Sequence, residues 1–211
     1  MTRATTHTAR IAEAAEWRLI GLLLERPRSG WHQESAALVR EVHDVALRDA
    51  AAVARDATEG EYLRLLGPGG VVSPREVTYQ PFADPGHLLA ELATAYDAFA
   101  FRPCVEEPLD HLAVEVAFVG YLLLKEAFAD ARGDGNATAV TTAARRAFVE
   151  AHLAALAVPF AQRLQAAGPS YLLPCAQLLA ARMPARPSAS LPPSPLDVPD
   201  ICAACAPGLT D

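Results

Sequence analysis

The sequence predicts an all-α protein, a single compact helical domain of about seven to nine helices with a long inter-helix loop and a proline-rich C-terminal tail. Apolar residues recur at helical spacing through most of the chain, and no alternating pattern of useful length predicts a β-strand. Hydrophobic residues make up 52% of the 211 residues, and a chain of this length buries roughly 70% of its unfolded surface. We therefore assign residues 1–182 to the helical domain and residues 183–211 to the tail.

The first half of the chain contains four predicted helices. The first ends before Pro27, and its stripe comprises Ile11, Ala14, Ala15, Arg18, Leu19, Leu22 and Leu23. The second is predicted from about Gln33 to Arg55. A capping-box pattern, Thr58-Glu59-Gly60-Glu61, opens a short helix through Leu66, and Asp84-Pro85 opens another through Tyr96.

The segment from Gly67 to Phe82 is predicted to be a long loop between two of these helices. Loops of this length in compact domains are commonly functional. Its start, Gly67-Pro68-Gly69-Gly70, lacks the Lys-Ser/Thr end of a phosphate-binding loop and follows a helix rather than a strand. We therefore interpret it as a turn that reverses the chain direction.

The second half is dominated by a strongly apolar central helix, predicted from Pro108 to about Ala131 and ended by Gly133-Asp134-Gly135. The next helix is predicted from Asn136 to about Leu156, with Pro159 disturbing the start of the one after. The last is predicted from Ser170 to Met183, with Pro174 near its first turn.

Carboxylates and an imidazole are concentrated where the central helix is predicted to begin. Pro108 suits the first helical position, which makes Glu107 the predicted N-cap. Asp110 then occupies the third position, where a carboxylate can reach back to the cap N–H. His111 is one turn from both Glu107 and Glu115, so these three side chains are predicted to share a helix face.

This cluster has two interpretations. In the simpler one, Asp110 caps the helix while His111 and Glu115 lie on a solvated face. In the other, the cluster is a recognition site at the start of a core helix. A catalytic acid–base role is disfavoured, because neither a nucleophile nor a second cluster accompanies these residues.

Charge and hydropathy narrow the class of partner. The net charge of −7 and the pI near 5.4 argue against nonspecific nucleic-acid binding and favour a basic partner. The N-terminal residues lack a signal-peptide layout. The longest apolar stretch, Leu112 to Leu124, contains Glu115 and is too short to span a bilayer. We expect a cytoplasmic protein without stable membrane insertion.

The tail combines six prolines between Met183 and Asp200, which suit an extended linker, with a Cys-x-x-Cys motif. Cys202 and Cys205 have the spacing of two metal ligands or of a redox pair. The alternative function is therefore a metal- or iron–sulfur-binding redox module on a helical scaffold, and the simpler state is two reduced thiols. Cys104 and Cys175 are expected to be small core residues.

The motif Pro108-x-Asp110-His111-x-x-x-Glu115, preceded by an acidic residue and followed by an apolar helix, resembles that of the TorD/DmsD/NarJ family. These proteins are cytoplasmic assembly chaperones for molybdenum-containing oxidoreductases. The stretch from Leu65 to Tyr79 is similar to the loop between that family's helical halves. Arg75 and Val77 stand where the family's loop commonly has an aromatic residue and a serine.

The resemblance implies a helical protein that is not an enzyme and needs no cofactor of its own. Its partner would be an apo-molybdoenzyme catalytic subunit, bound through its twin-arginine leader and held for cofactor insertion before export. The chaperone itself would be a monomer or a dimer. By position, the implied recognition residues are Glu107, Pro108, Asp110, His111, Glu115 and Tyr79. Acidic groups suit guanidinium ions, and the leader's apolar part is expected in a groove near Tyr79, Phe82 and Phe118.

Overall fold

The computed structural model describes residues 3–184, which fold into nine α-helices joined by loops and short turns. The helices are α1 (Arg3–Leu24), α2 (Trp31–Val39), α3 (Val45–Val53), α4 (Glu59–Leu66), α5 (Pro85–Ala98), α6 (Leu112–Arg132), α7 (Gly135–Phe148), α8 (Ala154–Ala167) and α9 (Leu172–Ala181). Within this range there is no β-strand, only an isolated bridge between Arg75 and His111. The predicted all-α class is confirmed. The division at residue 182 stays a prediction, because residues 185–211 lie outside the described range.

Helix α6 is the central element, because it packs along α1 and also against α7. Most of its side chains are buried, as its apolar sequence predicted. Helix α1 approaches closely at Gly120, where an added Cβ would lie 3.4 Å from the Cβ of Trp17. Across the described part of the chain, no helix is long and apolar enough to cross a membrane.

Aromatic rings beside α6 fix the chain segment that leads into this helix. Tyr96 and Phe148 each contact the ring of Phe118 edge-on, with centroids 4.8 Å apart. Pairs of this geometry contribute about 0.5–1.5 kcal/mol beyond the area they bury. The Tyr96 hydroxyl also donates to the main-chain oxygen of Leu109 at 2.9 Å, so the cluster holds the residues just before α6.

Local signals predicted several helix ends correctly. The Thr58 hydroxyl accepts a hydrogen bond from the N–H of Glu61 at 3.2 Å, and the Asp84 carboxylate accepts one from the N–H of His87 at 2.7 Å. Gly133 ends α6 in the left-handed conformation, with φ of 74°. The last predicted helix, 170–183, corresponds to α9.

The single helix predicted from about Gln33 to Arg55 is wrong, because this stretch forms both α2 and α3. Asp44 lies in an extended conformation as the N-cap of α3, and its carboxylate accepts a hydrogen bond from the N–H of Leu47 at 3.1 Å. Apolar spacing continues on both sides of this break, so periodicity alone did not reveal it.

The break predicted near Pro159 is also wrong. Helices α7 and α8 are joined by a π-helical turn, Val149–Leu153, and Pro159 lies inside α8. Proline removes one main-chain donor from a helix, yet α8 continues through Pro159, and the irregularity lies earlier, at a single π-helical turn. The π turn carries His152, whose Nδ1 lies 3.1 Å from a carboxylate oxygen of Glu76.

Candidate functional site

The long loop between α4 and α5 is attached to the chain just before α6. The N–H of Glu76 donates to the main-chain oxygen of Asp110 at 2.9 Å, next to the antiparallel bridge between Arg75 and His111. A short 3-10 turn, Glu76–Tyr79, follows. The loop and the acidic motif, which are distant in sequence, therefore meet in one place.

Helix α6 begins at Leu112 rather than at Pro108. His111, not Glu107, is its N-cap, because Nδ1 of the imidazole accepts a hydrogen bond at 3.1 Å from the main-chain N–H two residues later. The predicted helical positions of Pro108 and Asp110 are therefore wrong. Pairing with the loop holds this segment outside the helix and overrides the local signal from proline.

Asp110 is fully buried and forms an ion pair with the Arg75 side chain of the loop. Its second carboxylate oxygen lies 3.4 Å from the main-chain nitrogen of Val77, which donates to it. A buried carboxylate needs such partners, since an unpaired one costs several kcal/mol, about 3–5 in measured cases. Asp110 therefore holds the loop against the start of α6 instead of capping the helix.

His111 is buried, and both of its ring nitrogens are hydrogen-bonded. Because Nδ1 accepts from the main chain, Nε2 carries the proton and donates to the Tyr62 hydroxyl oxygen at 3.0 Å. Burial, together with the Arg75 guanidinium, lowers the pKa of His111 to about 4. The imidazole is therefore neutral at pH 7 and links α4 to the start of α6.

Glu115 is fully buried in the first turn of α6, and among the described residues neither of its carboxyl oxygens has a hydrogen-bond partner. Burial raises the pKa of Glu115 well above its usual range, and the nearby carboxylates of Glu76 and Asp110 raise it further. The carboxyl group therefore favours its neutral form. The helix face that Glu115 was predicted to share with Glu107 does not exist, because Glu107 precedes the helix.

Glu76 is a member of this network that the sequence did not reveal. It is fully buried, one of its carboxylate oxygens lies 3.1 Å from Nδ1 of His152, and it accepts a hydrogen bond from the Gln80 side chain. Glu76 and His152 are 76 positions apart in the chain, and no local pattern connects them.

A cleft of about 480 Å³ opens beside the buried network. Its walls are the C-terminal half of α4, the loop residues 67–70 and 72–75, and the segment 106–108; Arg26 and His111 also line it. Glu106 is exposed and Glu107 half-buried, and neither carboxylate is in an ion pair within residues 3–184. They are the acidic side chains of the lining.

Two glycines allow the sharp chain reversal in the cleft wall. A Cβ added to Gly70 would lie 2.6 Å from the main-chain oxygen of Leu65, and one added to Gly67 would lie 2.5 Å from that of Leu63. The N–H of Gly70 donates to the oxygen of Gly67 at 2.8 Å. The interpretation of this stretch as a chain-reversing turn is confirmed.

Tyr79 does not line the cleft but supports its wall. Its hydroxyl donates to the main-chain oxygen of Ser73 at 2.7 Å, and the Arg163 guanidinium lies 4.6 Å from its ring centroid. Ser73 itself lines the cleft. The groove expected around Tyr79, Phe82 and Phe118 is not formed, because Phe118 is a core residue that is 1% exposed, whereas Phe82 is fully exposed.

The predicted metal or redox ligands Cys202 and Cys205 lie outside the described residues, so their role stays a prediction. Among residues 3–184, no group of three or more His, Cys, Asp or Glu side chains is arranged to hold a metal ion. Cys175 is buried as expected, and burial raises the pKa of its thiol to about 12. Cys104 was expected in the core and is instead exposed.

The structure thus divides five of the six predicted recognition residues into two groups, and Tyr79 belongs to neither. Glu107, Pro108 and His111 line the cleft. Asp110 and Glu115 are buried without access to solvent. Sequence reasoning missed the cleft residues Arg26 and Tyr62, the buried Glu76 and the half-buried His152. Their side chains reach the site only through tertiary contacts.

A comparison with protein-family models gives a match to the nitrate reductase delta subunit family over residues 29–162. The matched range extends from just before α2 into α8 and contains the buried network and the cleft apart from Arg26. Searches of curated proteins and of solved structures gave no match.

Proposed function

The chain belongs to the nitrate reductase delta subunit family, within the TorD/DmsD/NarJ group of redox-enzyme maturation chaperones, and from this premise we propose that it is a client-specific assembly chaperone. The proposed client is the apo-form of a molybdenum-containing oxidoreductase. The chaperone binds the client's arginine-bearing N-terminal leader in the cleft and holds the enzyme for cofactor insertion before export.

The observation that carries this proposal is the pair of available carboxylates at the cleft. Glu106 and Glu107 lack ion-pair partners among the described residues, and a guanidinium ion binds a carboxylate through two parallel hydrogen bonds. The lining also contains apolar side chains, among them Leu63, Leu66 and Pro108. The cleft therefore offers acidic groups for the leader's arginines and an apolar wall for the residues that follow them.

The buried residues are positioning residues in this proposal and do not touch the leader. Asp110 neutralises Arg75, a cation of the cleft lining, and so reduces its repulsion of an arginine-bearing peptide. His111 and Tyr62 join α4 to the start of α6. The two walls of the cleft are thereby held at a fixed separation.

Binding of a synthetic twin-arginine leader, followed by isothermal titration calorimetry, tests the proposal. We expect the Glu106→Gln/Glu107→Gln variant to bind about 5- to 30-fold more weakly, since two lost charge contacts of roughly 0.5–1 kcal/mol each give a loss in this range. The Kd should also rise with salt concentration, because exposed charges are screened.

A matched control separates local from general charge effects. Glu41→Gln/Glu91→Gln removes two exposed carboxylates outside the cleft and should leave the Kd unchanged. If the cleft variant binds the leader as tightly as the parent protein, the site assignment is wrong. Purification from the native cell with the client attached, its leader uncleaved, would identify the molybdoenzyme.

A further inference from the structure

We propose that the proline-rich segment Leu191–Leu196 of this chain docks in a second groove, separate from the cleft. This α1–α6 groove has a volume of about 220 Å³, and its apolar lining includes Ala14, Phe101, Ala113, Ala117, Tyr121 and Leu124. The occupant is a part of the same chain, not the client, so the proposal goes beyond the chaperone role.

The groove has the shape and chemistry that suit an extended proline-rich segment. Small side chains on α1 and α6 form its floor, and the rings of Phe101 and Tyr121 lie 5.3 Å apart in its lining. Leu124 leaves 51% of its surface exposed there. Aromatic-lined grooves of this kind recognise polyproline II segments.

The length of the segment matches the length of the groove. Along α6 the lining extends from Ala113 to Leu124, about 16 Å at 1.5 Å per residue. The sequence Leu-Pro-Pro-Ser-Pro-Leu at residues 191–196 spans about 16–19 Å as polyproline II, at about 3.1 Å per residue. Its three prolines have no N–H, so few main-chain donors would lose water in an apolar groove.

The segment can reach the groove from the last described residue. Pro184 lies in a depression that Trp17 of α1 also lines, and α1 contributes Ala14 to the groove. Leu191 follows Pro184 by seven residue steps, which can span about 20 Å in an extended chain. This distance exceeds the diameter of one helix, about 10–12 Å, so the chain is long enough to pass over α1.

The charged groups of the groove lining already have partners among the described residues. Glu25, the acidic residue of the lining, pairs with Arg18 at 2.8 Å, and Arg102 pairs with Asp97 at 2.6 Å. The groove therefore offers no unpaired carboxylate for a cationic leader, whereas the leucine-proline segment needs only apolar contact.

The exposed thiol of Cys104 lines the groove and reports its occupation. We would measure the rate of Cys104 alkylation by iodoacetamide in the full-length protein, with each cysteine followed separately by peptide mass spectrometry. Leu191→Asp/Leu196→Asp should accelerate the reaction at least threefold. The matched control Ser188→Asp/Ser190→Asp, with the same charge change, should not.

Variants of the groove provide an independent test on the helical side. Leu124→Asp should accelerate Cys104 alkylation as much as the tail variant does, and combining the two should add nothing. Phe128→Asp, at a more exposed position of α6 outside the groove, should have no effect. An added carboxylate disfavours a nearby thiolate, so the acceleration cannot come from charge. The proposal is overturned if Cys104 is alkylated at the same rate in all these proteins. It is also overturned if Cys104 reacts more slowly as the protein concentration rises, because this indicates that the tail of a second copy covers the groove.

Discussion

Replacing Glu115 by Gln is expected to stabilise the protein at neutral pH, although it removes a residue of the buried network. Glu115 is 0% exposed and lacks a hydrogen-bond partner within the described range. Burial and the neighbouring carboxylates of Glu76 and Asp110 raise its pKa. Glutamine has nearly the same shape but does not titrate, so the folded protein no longer has to keep a proton that the unfolded chain releases.

The sign and size of the effect follow from proton linkage. Above the pKa of the unfolded state, about 4.3, the unfolded chain loses the Glu115 proton while the folded protein keeps it. The free energy of unfolding therefore falls as pH rises, by up to about 1.4 kcal/mol per pH unit, until the folded-state pKa is passed. The advantage of Glu115→Gln is small at pH 4 and grows as the pH rises towards the folded-state pKa of Glu115.

Urea denaturation of both proteins at each pH gives the required free energies. The difference between them isolates Glu115, because the titration of His111, whose pKa is lowered to about 4, is common to both. The control is Glu126→Gln. Glu126 is also buried but accepts a hydrogen bond from Arg145 at 2.6 Å, so its replacement should lower stability at pH 7 by about 1.5–3 kcal/mol.

Two outcomes would refute this reasoning. A stability difference between Glu115→Gln and the parent that does not change with pH would show that Glu115 is not held in its neutral form. A variant less stable than the parent at pH 8 would show that the carboxylate has a favourable partner in the folded protein.

Two further pairs of variants test contacts around the cleft. Tyr62→Phe should lower the free energy of unfolding by about 1–3 kcal/mol, since the N–H of His111 loses its acceptor. The control is Tyr171→Phe, whose hydroxyl has no partner among the described residues, and it should leave the free energy of unfolding unchanged in the same urea titration. Equal losses in the two variants would contradict the hydrogen-bond assignment. Gly70→Ala should lower the melting temperature in calorimetry, because its Cβ would lie 2.6 Å from a main-chain oxygen. Gly60→Ala, which faces open space within α4, should raise stability by about 0.5–1 kcal/mol, and a tolerated Gly70→Ala would argue against the observed turn.

Most of the helices could be predicted because their signals are local. The caps of Thr58 and Asp84 lie within three residues of the N–H groups they bind, and such short patterns are visible in a sequence. The start of α6 was misplaced for the opposite reason. Pro108 gives a good local signal, but pairing between the loop and the residues before His111 decides where the helix begins.

The chemical character of the site could be predicted, whereas its burial could not. Asp110, His111 and Glu115 were selected because they cluster where a core helix was predicted to begin, and because carboxylates suit guanidinium ions. A sequence does not show that such groups are enclosed by residues far away in the chain. Arg75, 35 positions from Asp110, and His152, 76 positions from Glu76, supply the polar partners that make this burial tolerable.

The buried network and the proposed binding surface therefore have separable roles. Buried polar groups seldom stabilise a fold more than apolar packing would, and we expect Glu115 to lower stability at neutral pH. These groups do link the loop, α4 and the start of α6 through contacts that admit few alternative arrangements. In the proposed function, specificity for a basic leader depends on Glu106 and Glu107, which line the cleft. We therefore expect substitution of these two residues to alter leader binding without changing the fold.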